Sequence, residues 1–188
     1  MNQADITKAI TTKDASVFPE IVEQFQSMVY NTAVSMVQNE TDAEDITQEV
    51  FIELYENLQS FREESKLSTW IYRITINKVL DFEKRKTRQK HGGLLKRIFS
   101  VREEEEPVSF HHPGAALDNK ENAAILLKAM KKLPSAQQAA FTLHKIEGLS
   151  YKEVADVMDT SLYAVESLIA RAKTGLKKVL EHYYQSSQ

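Results

Sequence analysis

Apolar residues recur at helical rather than strand spacing along most of the chain. Ile21, Phe25, Met28, Val29, Thr32 and Met36 keep to one side of a helix predicted from Pro19 to about Gln38. Thr41-Asp42-Ala43-Glu44 has the form of a capping box, in which the Thr hydroxyl and Glu carboxylate satisfy free amides at a helix start. The helix it opens carries a core stripe of Ile46, Val50, Leu54 and Leu58. A short polar stretch from Phe61 to Lys66 interrupts the pattern. Ser68 or Thr69 then begins a third helix, Trp70 to about Arg88.

The chain breakers cluster. His91-Gly92-Gly93, Glu103–Glu106 with Pro107, and His111-His112-Pro113-Gly114 fall in one central stretch, where apolar periodicity is reduced to Leu94, Leu95, Ile98 and Phe99. Beyond it the helical pattern resumes. Lys120 to Lys132 is one helix, stopped at Leu133-Pro134, and Ser135 to Glu147 is a second, ended by Gly148 as a left-handed cap. Ser150-Tyr151-Lys152-Glu153 is another capping box and opens a short helix through Met158. After the turn Asp159-Thr160-Ser161, Leu162 to about Tyr184 forms the last helix. Two helices joined by so short a turn, with small Ala155 in the first, suggest a helix-turn-helix unit. The expected fold is all-α: a helical domain over 1–90, a flexible linker over 91–118, and a helix-turn-helix domain over 119–188.

Composition narrows the setting. The 188 residues contain no cysteine, which excludes a disulfide framework and a thiolate metal site. No run of about 18 apolar residues occurs, and the first residues lack the basic-then-apolar pattern of a secretory signal, so a cytoplasmic location is expected. Neither a cofactor nor a metal is expected. Adjacent His111 and His112 lack the i, i+4 helix spacing of a metal pair, and no activated nucleophile is visible, so the chain does not read as an enzyme.

The net charge of −3 conceals a sharp segregation. From Glu20 to Glu64 eleven acidic residues stand against one basic residue; from Arg73 to Arg97 nine basic residues stand against two acids. Two partner surfaces on adjacent segments are implied, one suited to phosphates. Asp45, Glu49, Glu53 and Glu56 gather on one side of the second helix. Arg73, Asn77, Lys84 and Arg88 run along the third, with Lys78, Arg85 and Lys86 nearby. Phe61, Trp70 and Tyr72 stand at its start, and aromatics beside a positive track suit single-stranded nucleic acid, although Trp70 fits a core position equally well. On the last helix Val165, Leu168, Ile169, Ala172 and Leu176 share a buried face. That leaves Tyr163, Ala164, Glu166, Ser167, Ala170, Arg171 and Lys173 outward or flanking, where a recognition helix meets the major groove.

These segments carry a family resemblance. Asp42-Ala43-Glu44-Asp45-Ile46-Thr47-Gln48-Glu49-Val50-Phe51 resembles the core-docking helix of sigma-70 family factors. Phe61 to Asn77, with Leu67-Ser68-Thr69-Trp70-Ile71-Tyr72-Arg73-Ile74 inside it, is similar to the adjoining promoter-opening segment. Leu133-Pro134, Glu147-Gly148-Leu149-Ser150-Tyr151-Lys152-Glu153-Val154-Ala155, Val165-Glu166-Ser167 and Arg171-Ala172-Lys173 resemble the family's second DNA-binding domain. The absence of a middle domain resembles the extracytoplasmic-function (ECF) type.

The resemblance implies a non-catalytic promoter-recognition subunit of RNA polymerase. Asp45, Gln48, Glu49, Glu53 and Glu56 would meet the clamp helices of the core's largest subunit. Phe61, Lys66, Trp70, Arg73, Asn77, Lys78, Lys84, Arg85 and Arg88 would bind and open the minus-ten element. Ser161, Tyr163, Ala164, Glu166, Ser167, Ala170, Arg171 and Lys173 would face the minus-thirty-five element. Promoter DNA, core polymerase and an anti-sigma factor are the implied partners, without membrane insertion. Acidic Glu103–Glu106 could imitate RNA in a polymerase channel. The sequence departs from the family at Glu166 and Leu168, where basic residues are usual, and at Asp159, where the turn glycine is usual. The competing reading is a helix-turn-helix regulator acting without the polymerase core.

Overall fold

The computed structural model describes residues 15–61, 65–92 and 120–186. Among the described residues it contains seven α-helices and no strand. Glu103–Glu106, the two adjacent histidines and the apolar Leu94, Leu95, Ile98 and Phe99 lie outside the described residues.

Three helices form the first bundle: α1 (Phe18–Val37), α2 (Glu40–Asn57) and α3 (Leu67–Gly92). Pro19 near the start of α1 costs no intrahelical hydrogen bond, since amides there have no partner within the helix. The far end of α1 closes with Gln38 in the left-handed region (φ 54°), its amide donating to the Val34 carbonyl at 2.9 Å. A corner of only two residues then leads into α2. The expected cap at Thr41 is displaced, because this short corner needs a cap at once. Asn39, extended at φ −145°, accepts from the Asp42 amide through its side chain at 2.8 Å, and Thr41 falls inside the first turn. Ile46, Val50, Leu54 and Leu58 are buried as the stripe requires. Thr32 belongs to the core because its hydroxyl donates to the Met28 carbonyl at 2.8 Å, leaving its methyl group free to pack. The third helix starts three residues before Trp70 and runs beyond Arg88 to Gly92.

The second bundle comprises α4 (Lys120–Met130), α5 (Ser135–Phe141), α6 (Tyr151–Met158) and α7 (Leu162–Ser186). The single helix expected over 135–147 changes character at Thr142, where a π-helical turn runs to Ile146 and the Glu147 amide donates back to the Thr142 carbonyl at 3.0 Å. Gly148 (φ 74°) then reverses the chain. Both halves of the Ser150–Glu153 capping box form. Asp159 closes α6 in the left-handed conformation (φ 49°), and Val165, Ile169, Ala172 and Leu176 of α7 are buried. Gly175 allows close packing at the α4–α5 corner, since a Cβ there would lie 2.8 Å from Leu133 Cδ2.

The two bundles are packed together. One apolar cluster runs from Ile21, Phe25 and Met36 through Ile71 and Ile76 into Ala139, Leu143, Val154, Val157 and Ile169. A smaller one, with Met130, Phe141 and Leu176, lies within the second bundle.

Candidate functional site

On α2 the side chains sort by their angle from the core stripe. Asp45, Gln48, Ile52, Tyr55 and Glu56 project opposite Val50, and all five are exposed. Ile52 and Tyr55 remain 58% and 57% accessible, a large apolar exposure for two helix residues otherwise free to be polar. Tyr55 is braced by Phe18, whose ring meets it edge-on at 5.0 Å. This apolar centre was not singled out from the sequence, where the carboxylates dominated the same face. Its signal was the i, i+3 spacing of Ile52 and Tyr55 away from the core positions.

Glu49 and Glu53 occupy the flank turned towards α3. Lys78 Nζ lies 2.8 Å from Glu53 Oε2 and 3.8 Å from Glu49 Oε2, Arg85 Nη2 lies 3.6 Å from Glu49, and Lys86 Nζ lies 2.9 Å from Asp42. The hydrogen bond to Glu53 holds the Lys78 ammonium above its ordinary range. Acidic and basic segments therefore meet along a seam, and only their outer faces remain available to partners. Asn77, Lys84 and Arg88 are exposed, Lys84 pairing with Asp81 at 3.0 Å.

At the start of α3 a cleft of about 470 Å³ opens between the bundles. Phe61, Lys66, Trp70 and Arg73 line it together with Ser60, Ser65 and Thr69, facing Glu153 and Asp156 of α6. Phe61 and Trp70 stack in a tilted pair with ring centroids 5.2 Å apart. Trp70 is partly buried, serving both the core and the cleft wall. Lys66 Nζ lies 3.0 Å from Glu153 Oε1, and Arg73 Nη2 donates to the Asp156 carbonyl. Behind the cleft the Tyr72 hydroxyl donates to Glu147 Oε2 at 2.9 Å; burial and that carboxylate push the hydroxyl well above the usual tyrosine range. The backbone amide of Ser150, then Lys66 and the Ser150 hydroxyl, hold the Glu153 carboxyl down at about 2.

The third surface is the start of α7. Ser161 caps it by accepting from the Ala164 amide at 3.2 Å. Tyr163 is 81% accessible, Glu166, Ala170, Arg171 and Lys173 are exposed, and Ala164 and Ser167 are half-buried. Among the described residues no group of three or more His, Asp or Glu side chains is placed to hold a metal ion, and no helix is long and apolar enough to cross a membrane.

The three surfaces fall within two regions with known relatives. Residues 21–89 match Sigma-70 region 2, and residues 123–176 match Sigma-70 region 4. The ECF RNA polymerase sigma factor SigE of Mycolicibacterium smegmatis is 32% identical over 181 residues, covering 94% of this chain and 68% of that one. The ECF RNA polymerase sigma-E factor of Haemophilus influenzae is 30% identical over 178 residues, covering 86% and 93%. The fold is similar to that of the sigma factor RpoE solved in complex with the anti-sigma factor NepR from Bartonella quintana. There the TM-score is 0.69 at 20% identity, with 87% of this chain and 96% of that one covered. Region 2, region 4 and relatives along nearly the whole length give one conclusion: this chain belongs to the ECF group of sigma-70 family RNA polymerase sigma factors.

Proposed function

We propose that the chain docks on the polymerase core through Asp45, Gln48, Ile52, Tyr55 and Glu56, with Glu49 and Glu53 at the edge of the contact. The observation that carries this reading is an exposed apolar pair ringed by carboxylates, on a helix directly beside a basic one. Apolar anchors inside a polar rim supply most of the energy of such contacts. Lys66, Arg73, Asn77, Lys78, Lys84, Arg85 and Arg88 then hold the minus-ten strand, and Phe61 and Trp70 offer a stacking wall for an unpaired base. Unstacking a base costs a few kcal/mol, which stacking and phosphate contacts offset. Residues Ser161, Tyr163, Ala164, Glu166, Ser167, Ala170, Arg171 and Lys173 present the minus-thirty-five reader. Glu166 suits a cytosine amino group better than a phosphate.

In this reading the chain works in the cytoplasm, where it contributes recognition and strand separation. Bond formation belongs to the core. An anti-sigma protein that covers these surfaces is the expected regulator. Run-off transcription with purified core polymerase on genomic promoters tests the proposal. Initiation at a defined set of promoters only when the chain is added is the expected result. Operator binding by the free chain without any effect on core would favour a regulator acting alone.

A further inference from the structure

We infer that Phe18, the first residue of α1, is a positioning residue for docking on the polymerase core: it holds the Tyr55 ring in the orientation that the core receives. The inference rests on the docking role given above to Ile52 and Tyr55. Tyr55 points away from the buried stripe of α2, so packing on the inner side of its own helix cannot fix its side chain, and its ring stays 57% accessible. An aromatic side chain that exposed ordinarily exchanges between rotamers on the nanosecond scale. Phe18 supplies the missing wall from the neighbouring helix. Its ring meets Tyr55 edge-on, centroids 5.0 Å apart and planes at 72°. It also meets Phe51, one turn earlier on α2, at 6.5 Å and 81°, so one ring spans two successive aromatic positions of the docking helix.

The brace is itself held in place. Val17 and Ile21, before and after Phe18, are buried at 2% and 0%, and the ring of Pro19 locks the backbone of the next residue. The start of α1 cannot shift without uncovering both apolar neighbours. Phe18 is only partly buried: it packs against the core cluster and at the same time against Tyr55. Docking immobilises whatever side chains form the contact, and freedom surrendered at that moment weakens binding. A tyrosine already held by Phe18 has less to lose. The surface that the polymerase meets is in this sense built from two helices, with α1 setting the direction of an anchor carried by α2.

A double-mutant cycle on the full chain tests the brace, with affinity for purified core polymerase measured for wild type, Phe18→Leu, Tyr55→Ala and the two combined. Leucine keeps the apolar contact of Phe18 with the core cluster and removes the ring edge. Phe18→Leu should weaken core binding about threefold or more, the scale of one side chain's lost freedom, and should add nothing in the Tyr55→Ala background. The ring can also be observed directly. With 3-fluorotyrosine at the 7 tyrosines, the fluorine resonance missing from Tyr55→Phe belongs to Tyr55. In Phe18→Leu that resonance should move towards its position in the urea-unfolded chain while the others hold theirs. Equal weakening by Phe18→Leu with and without Tyr55 would reduce Phe18 to a structural residue. Unchanged affinity in Phe18→Leu alongside weak binding by Tyr55→Ala, or an unmoved Tyr55 resonance, would equally overturn the inference. Wild-type affinity in Tyr55→Ala would instead overturn the docking reading itself, and the brace with it.

Discussion

At the scale of single residues, Asp159 shows how a departure from a family pattern is absorbed. It ends α6 at φ 49°, a conformation closed to most side chains but open to Asp, whose short carboxylate arm crowds the backbone little. Asp159→Ala should lower the stability of the fold by about 1 kcal/mol in urea unfolding, whereas Asp159→Gly should not. The sequence made this legible, as it did the Ser150–Glu153 box, because both are local choices between a few residue types. It misplaced the cap of α2, since Thr41 and Asn39 are both good caps and only the shortness of the corner selects between them. Glu153 also fixes a pH response. Its carboxyl lies at about 2 in the fold against 4.5 ordinarily, so the stability it contributes is complete above about pH 4.5 and is lost as pH falls towards 2. Glu153→Gln should therefore lower the melting temperature at pH 7, and the difference from wild type should shrink in melts taken progressively below pH 4.5.

At the scale of helices, α2 and α3 have to be understood as a pair. Periodicity along α2 gave the correct buried stripe and showed that the carboxylates share a side. It could not show that part of that side faces α3, because the crossing of two helices is set by residues distant in sequence. Glu49 and Glu53 consequently hold Lys78 and Arg85 while bordering the outer face. Replacing both by lysine would disturb α3 as well as docking. A cleaner substitution is Ile52→Ala with Tyr55→Ala, since neither side chain is buried. We expect core-polymerase affinity to fall about tenfold or more, as for truncated interface anchors, with helicity in circular dichroism unchanged.

Across the whole molecule, the division into two helical bundles could be read from the breakers in the middle of the chain. Their mutual packing could not. Gln138 lies 102 residues beyond Met36, and Gln38 lies 89 before Leu127, so no local pattern joins them. Nor does periodicity distinguish the Trp70 that fills a core from the Trp70 that walls a cleft; the structure uses one ring for both. The corner at Gln38 and Asn39 ties the first turn of the docking helix to a distant contact. Gln38 grips the second bundle through its side chain, while the next residue caps α2. Removing the Gln138 contact to Met36 weakens the packing that supports that corner, so amide hydrogens over Asn39–Ala43 should exchange faster in Gln138→Ala than in wild type, with those around Leu54 unaffected. The first turn of the helix offered to the polymerase is thus steadied by the opposite bundle.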